Sequence, residues 1–323
     1  MAITLVSDFK IYQEEFNSGM YEKEAQMIDL FNAASGNSLV LATSRKRGEY
    51  DKNSFFKKLS GSITRRDLTS TAAATALKLV QDEKVNVKLN KKFGPIDSTY
   101  EPFRMQGKNA EAEFAFILGQ EFAGAKIANQ VNTLIAALVA GVGNVADLLH
   151  DGTAGTPTHG GLVTTLSKLG DRSQDIVAFI MHSKSYFDLM WQSVTDKVFE
   201  VAGVTINTGT VATLGKPTIV TDSPDLVTSG SPDTYHVLGL QTSAAVAEDQ
   251  DDGLMALDLV TGLEQLVMRT QGEFNYNIGL KGFTWDVSNG GANPTDASVG
   301  TGTNWDQVMT SIKDLPGVMG NFQ

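Results

Sequence analysis

The sequence predicts an α+β fold built around one long helix. Three observations predict it. Apolar residues recur at helical spacing from Asn109 to Ala140. Strand-forming stretches flank a polar segment between residues 38 and 100. A continuous apolar run at 175–182 leads into an amphipathic helix with further strand-like runs behind it.

The chain has 323 residues, enough for a sizeable core in two domains. Its 41% hydrophobic and 20% charged residues are ordinary for a folded protein. Cysteine is absent, which excludes disulfide frameworks, thiolate metal sites and cysteine nucleophiles. The opening Met-Ala-Ile-Thr-Leu-Val-Ser-Asp has no basic stretch before an apolar run, so synthesis in the cytoplasm without a signal peptide is expected.

Net charge is −11, unevenly spread. Residues 45–92 hold 13 Lys/Arg against 5 Asp/Glu, a net of +8, and the remainder stands at −19. Such asymmetry points to a basic segment that meets something acidic: nucleic acid, an anionic membrane, or a neighbouring copy of the chain.

Residues 1–37 read as an N-terminal arm. Ile11, Phe16, Met20, Met27, Ile28 and Phe31 suit amphipathic helices broken near Asn17-Ser18-Gly19. Such an arm docks either on a partner or on its own domain. Residues 38–100 read as an extended β-hairpin. Ser38–Thr43 and Thr75–Val80 are strand-like, Leu68–Ala74 is polar and small, and Val85, Val87 and Leu89 alternate on one face. A lone hairpin is marginally stable in water, so this one needs outside support. Its cations Arg45, Lys46, Arg47, Lys57, Lys58, Arg65 and Arg66 are the candidate intersubunit contacts. Nucleic-acid readout is the weaker assignment, because no recognition motif accompanies the aromatic residues Tyr50, Phe55, Phe56 and Phe93.

The long helix has Asn109 as N-cap, Glu111 and Glu113 in its first turn, and Gly141 and Gly143 at its end. Its apolar stripe is Phe114, Ile117, Leu118, Phe122, Ala125, Ala128, Val131, Ile135 and Leu138. At 32 residues it would be about 48 Å long. Glu121, Lys126, Asn129, Gln130 and Asn132 break any membrane-length apolar run, and Gly119 and Gly124 break a heptad. It reads as a spine for the rest of the subunit.

Behind it come a loop at 147–161, a helix at 162–169, a buried strand at 175–182 and a helix capped by Ser183. Strands follow near 201–206, 213–222 and 235–240. A strand at 273–286 has Phe274, Tyr276, Ile278 and Leu280 on one face, and a short helix begins at Asn304. The acidic turn Glu248–Gly253 reads as solvated, since its spacing is not that of a calcium loop. Ser183-Lys184-Ser185 at a strand–helix junction lacks the Gly-x-Ser-x-Gly elbow of an α/β hydrolase. His150, His159, His182 and His236 have no ligand spacing. No catalytic, cofactor or metal site is expected.

The order of parts resembles the major capsid proteins of tailed bacteriophages, with the Hong Kong 97-like fold. Gln81–Lys88, Val177–Ser183, Leu214–Asp222 and Gly282–Asp286 are similar to stretches in that family. The resemblance implies a structural, non-enzymatic protein that self-assembles into an icosahedral head shell around the phage genome. It implies five segments: the arm at 1–37, an extended β-hairpin loop at 38–100, a peripheral domain with the spine helix at 101–171, an axial domain at 172–270, and the peripheral domain's return strand with a C-terminal segment at 271–323. It further implies pentamers and hexamers, scaffolding and portal partners, a possible decoration protein, and DNA enclosed without specific binding. Assembly would occur in the host cytoplasm, with no membrane partner. An encapsulin-like compartment shell is the alternative on the same fold, and an α/β hydrolytic enzyme a more distant one.

Overall fold

The computed structural model describes residues 6–44, 48–59, 61–66, 68–73, 76–99, 101, 105, 110–195, 198–201, 204–207, 214–250, 253–262 and 264–323. Helix α1 spans Val6–Ala34, followed by β1 (Leu39–Thr43), β2 (Tyr50–Phe56) and β3 (Gln81–Thr99). The spine is α2 (Ala110–Gly143). Next come β4 (Leu149–Asp151), α3 (His159–Ser167), β5 (Ile176–Met181), α4 (Ser183–Thr195), β6 (Val198–Val201), β7 (Val204–Asn207), β8 (Thr218–Val220) and β9 (Val227–Thr228). The chain continues through β10 (Thr234–Gln241), β11 (Ala245–Asp249), β12 (Leu254–Val260), β13 (Val267–Leu280) and β14 (Phe283–Trp285). It ends with α5 (Val287–Gly290), α6 (Asp296–Val299), β15 (Trp305–Gln307) and β16 (Gly317–Phe322).

Two six-stranded sheets carry most of the described strands, while β14 pairs with β15 and β6 with β7 in separate two-stranded sheets. One large sheet has the order β1-β11-β13-β3-β2, with β12 also on β13, and the other runs β4-β16-β10-β5-β8, with β9 on β10. The first sheet therefore joins the hairpin to the return strand: Val87 pairs with Ile278 and Leu89 with Tyr276. The alternation foreseen there holds, since Val87, Leu89, Tyr276, Ile278 and Leu280 are all buried. The sheets do not follow the segment boundaries read from the sequence. β11 and β12 join the hairpin's sheet, and the C-terminal β16 pairs with β10.

At 34 residues, α2 is about 51 Å long. Within its C-terminal half, the run Thr133 to Leu138 is buried all round. Its N-terminal half is one-sided and keeps part of the expected stripe: Leu118 and Phe122 are buried as read, but Ile117, Ala125 and Ala128 are exposed and Ile127 is buried in their place. Asn109, the expected N-cap, lies outside the described residues, as do the side chains of Glu111, Glu113 and Phe114. Gly141 and Gly143 lie within the helix rather than beyond it. A Cβ on Gly141 would stand 2.9 Å from Leu280 Cδ1, so glycine there lets β13 approach. The segment Ala115–Gly143 is long and apolar enough to cross a membrane, but 67% of its most apolar window is buried in the fold, as in a core helix. Tyr276 docks the sheet on the spine. Its hydroxyl donates to Asn129 Oδ1 at 2.8 Å and lies 3.0 Å from Thr133 Oγ1.

The arm is one continuous helix, not two. Asn17-Ser18-Gly19 does not break α1, because Gly19 sits where α1 crosses α2. A Cβ on Gly19 would lie 2.5 Å from the Phe116 carbonyl oxygen, and one on Gly119 2.3 Å from that of Phe16. Two facing glycines thus let the backbones touch, and Phe16 and Met20 bury in the chain's own core. Gly119→Val should force α1 off the spine. We expect a loss of about 1–3 kcal/mol in urea unfolding together with faster proteolysis within α1.

Four further expectations are corrected. Thr75–Val80 is not a strand: the described residues 76–80 are exposed coil, and the ladder starts at Gln81. The hairpin arms are β2 and β3, while β1 runs parallel to β11. Ser183 is the first residue of α4 rather than its cap. His182 fills that role, its Nδ1 accepting from the Lys184 backbone N–H at 3.2 Å. Asn304–Ile312 contains the strand β15 and short turns in place of a helix.

His236 is buried between β9 and β16. Its Nδ1–H donates to Asn321 Oδ1 at 2.8 Å, and Nε2 faces the Thr228 hydroxyl at 2.8 Å. Burial pushes its pKa below the usual histidine value, the Asn321 bond opposing this in part. A depressed histidine contributes stability that is present above its unfolded pKa and lost as pH falls through the folded one. From about pH 7 to about pH 5, the urea midpoint should therefore fall more for the natural chain than for His236→Gln.

Candidate assembly surface

The hairpin emerges from the sheet where burial on β3 ends. Inside, Val85, Val87 and Leu89 face the core, and the Val85 N–H donates to Thr284 Oγ1 at 2.8 Å. Two aromatic residues seat that anchor: Trp285 and Trp305 meet edge to face at 5.0 Å, donating to the Gly291 and Val299 carbonyls. Outward from there, β2 pairs with β3 from Tyr50↔Val87 to Phe56↔Gln81. Cross-strand pairs Lys52–Glu83 at 2.8 Å and Lys57–Asp82 at 2.7 Å fix the register. The Lys57 hydrogen bond, with that of the Glu83 N–H, holds the Asp82 carboxyl below its ordinary range. The Lys57 N–H adds a last rung to the Val80 carbonyl at 2.8 Å.

Beyond that rung lies the tip, residues 58–79, with no strand among its described residues. Apolar side chains there face solvent: Ile63 is 94% and Leu68 82% exposed, and Leu59, Leu77 and Leu79 are also exposed. A monomer rarely leaves so many large apolar groups together in water unless a partner covers them. The cations of this surface are legible in the sequence and its hydrophobic part is not, because Thr75–Val80, with Leu77 and Leu79, reads as a strand.

The seven candidate contacts separate. Lys58, Arg65 and Arg66 are exposed on the tip and make no ion pair among the described residues. Lys57 is engaged by its own chain through Asp82. Arg45, Lys46 and Arg47 lie outside the described residues.

The acidic turn is corrected. Asp249 and Gln250 are buried at the end of β11, and Asp249 pairs with Lys126, while Asp251 and Asp252 lie outside the described residues. Among the described residues, no group of three or more His, Asp and Glu is placed to hold a metal ion.

Comparison with known families decides what this surface belongs to. The model of the Gp13-like family, described as major capsid protein 13-like, matches residues 8–319, nearly the whole chain. The chain belongs to the Gp13-like major capsid protein family. This capsid protein shares its fold with solved phage structures. One from Microbacterium phage Oxtober96 aligns with a TM-score of 0.51 at 11% identity, covering 90% of this chain and 91% of that one. The cyanophage Pam1 capsid asymmetric unit gives 0.51 at 11% identity over 88% of each chain. The capsid of a native GTA particle gives 0.50 at 14% identity, covering 76% of this chain and 89% of that one. No curated protein sequence matches. At such identities the likeness establishes the fold, the Hong Kong 97-like one. The capsid protein is a shell protein of tailed bacteriophages and a structural component of the virion.

Proposed function

We propose that the hairpin tip seats on the next copy of the capsid protein, joining subunits into pentamers and hexamers of a closed icosahedral shell. The exposure of Ile63, Leu68, Leu77 and Leu79 beside Lys58, Arg65 and Arg66 carries this reading. The apolar groups supply the burial, and the cations meet an acidic remainder of net −19. The similar chain from the capsid of a native GTA particle is itself part of a particle shell, which supports assembly of this fold into shells. In this reading the spine helix α2 and the long strand β13 serve the periphery of each capsomer, and β5, α4, β8 and β10 its axis. Packaged DNA is enclosed without a specific site, repelled by an acidic shell. Scaffolding and portal proteins guide closure in the host cytoplasm, and a decoration protein can add outside. A structural capsid family also supports a non-enzymatic role.

The test is negative-stain microscopy with light scattering on the purified protein, alone and with its scaffold. Closed shells, or pentameric and hexameric rings, are expected. A chain that stays monomeric with scaffold supplied would overturn the reading.

A further inference from the structure

The hairpin's sheet carries two strand-like pieces that lack a partner, one toward each end. Residues 76–80 precede β3 and are tied to β2 by the Lys57 N–H on the Val80 carbonyl. Leu77 and Leu79 alternate there with Lys78 and Val80, as in a half-buried strand, yet all five residues are exposed coil. The other piece is β12. Among the described residues β13 is the only strand that pairs with it, so its outer edge is open. Leu254, Ala256 and Asp258 are exposed on one face of β12, and Met255 is buried on the other. An edge strand with Asp258 as its one charge is a template for a further strand.

The two pieces match. Residues 76–80 read Ala-Leu-Lys-Leu-Val and residues 256–260 read Ala-Leu-Asp-Leu-Val, the same apart from opposite charges at the centre. They cannot meet within one chain. Leu254 stands opposite Glu273, and Glu273 opposite Lys92. The stretch of β3 from Gln81 to Lys92 is about 36 Å long, and Asp258 lies farther out still, level with Arg269 and Asp97. Contact between the pieces is therefore made by two copies, the donor end of one on the acceptor end of the next. Such a head-to-tail contact repeats into a ring where the rotation closes.

We propose that residues 76–80 of one copy of the capsid protein add to the outer edge of β12 in the next copy as a seventh strand. This rests on the shell reading above and names the strand that receives the hairpin. The pairing is antiparallel, the more stable ladder, and centred on Lys78 opposite Asp258. Val80 then stands opposite Ala256 and Ala76 opposite Val260. Leu77 and Leu79 fall on the face of Met255 and leave solvent. A slip of one residue would part the two charges and turn both leucines outward, so the register is specified. The added strand also gives partners to backbone groups that are open on both pieces in the lone subunit.

The test uses a chain that has no cysteine of its own. Lys78→Cys and Asp258→Cys subunits are made separately, mixed, assembled with scaffold and mildly oxidised. Directly opposed residues have Cβ atoms about 4.5–5.5 Å apart, within reach of a disulfide. Particles should yield a dimer linked between positions 78 and 258, identified by peptide mapping, and the unassembled mixture should not. Particles lacking that link would overturn the proposal and leave the shell reading standing. So would an equal yield from Leu79→Cys in place of Lys78→Cys, since position 79 faces the other way. Hydrogen exchange on the natural chain reads the same contact without a variant. Amides of 76–80 should exchange more slowly in particles than in free subunits, and equal rates would overturn the added strand. If the natural chain forms no particles with scaffold supplied, the shell reading falls and this inference with it.

Discussion

An Ile63→Asp, Leu68→Asp double variant should fold like the natural chain and fail to build shells. Both side chains are almost fully in water, so no core contact is lost, and substitutions at such sites usually change stability by under about 0.5 kcal/mol. At an interface each would bury about 1.5–3 kcal/mol of apolar surface. Losing both removes about 3–6 kcal/mol per contact, or two to four decades in pairwise association. The loss recurs at every copy, so light scattering should show subunits where the natural chain gives particles. Arg65→Glu, Arg66→Glu tests the cationic half separately. It should also impair assembly, most strongly at low salt, because screened rim charges act chiefly on encounter. Normal particles from both variants would remove the hairpin from the assembly surface.

The second large effect is expected inside the fold. Trp305→Ala should cost about 3–5 kcal/mol in chemical denaturation, a large part of the typical 5–15 kcal/mol that holds a domain folded. Trp305 is completely buried, packs edge to face on Trp285, and donates to the Val299 carbonyl. Its removal leaves a cavity and an unpaired carbonyl together. It also loosens the seat of β14, whose Thr284 accepts the Val85 N–H at the hairpin base. Proteolysis between β2 and β3 should therefore quicken even where the rest of the fold survives. Trp305→Phe, which keeps the ring but not the donor, should lose less. Equal losses from the two variants would show that the carbonyl bond, not the packing, is what Trp305 supplies.

What was legible in the sequence follows from range. β13 was readable from an apolar period that the fold obeys, β5 from a continuous apolar run, and the spine from its length, although its N-terminal half buries a partly different face. α1 was misread because Gly19 looks like a helix break in one dimension and serves as a crossing point in three. β11 and β12 were missed: a small-residue, acidic run such as Ala245–Asp249 has no strand-like signature without its partners β1 and β13. Thr75–Val80 misled for the opposite reason. Its apolar residues suit a buried strand, yet they face solvent, which sequence alone does not separate from burial in another copy. The Lys126–Asp249 pair was invisible because its residues lie 123 positions apart.

The place of β2 at the rim of its sheet has a further consequence. A rim strand offers a row of open amides on which a second chain can zip without limit, and a virion protein made in many copies is exposed to that hazard. Asp51, Lys52 and Asn53 occupy the middle of this strand. A second β2 laid against it antiparallel about Lys52 would set like charges face to face, and a shifted alignment would leave polar groups poorly matched. Fibril growth through the rim is thereby disfavoured. Association is left to the apolar end of the hairpin, where contacts can turn back on themselves and close.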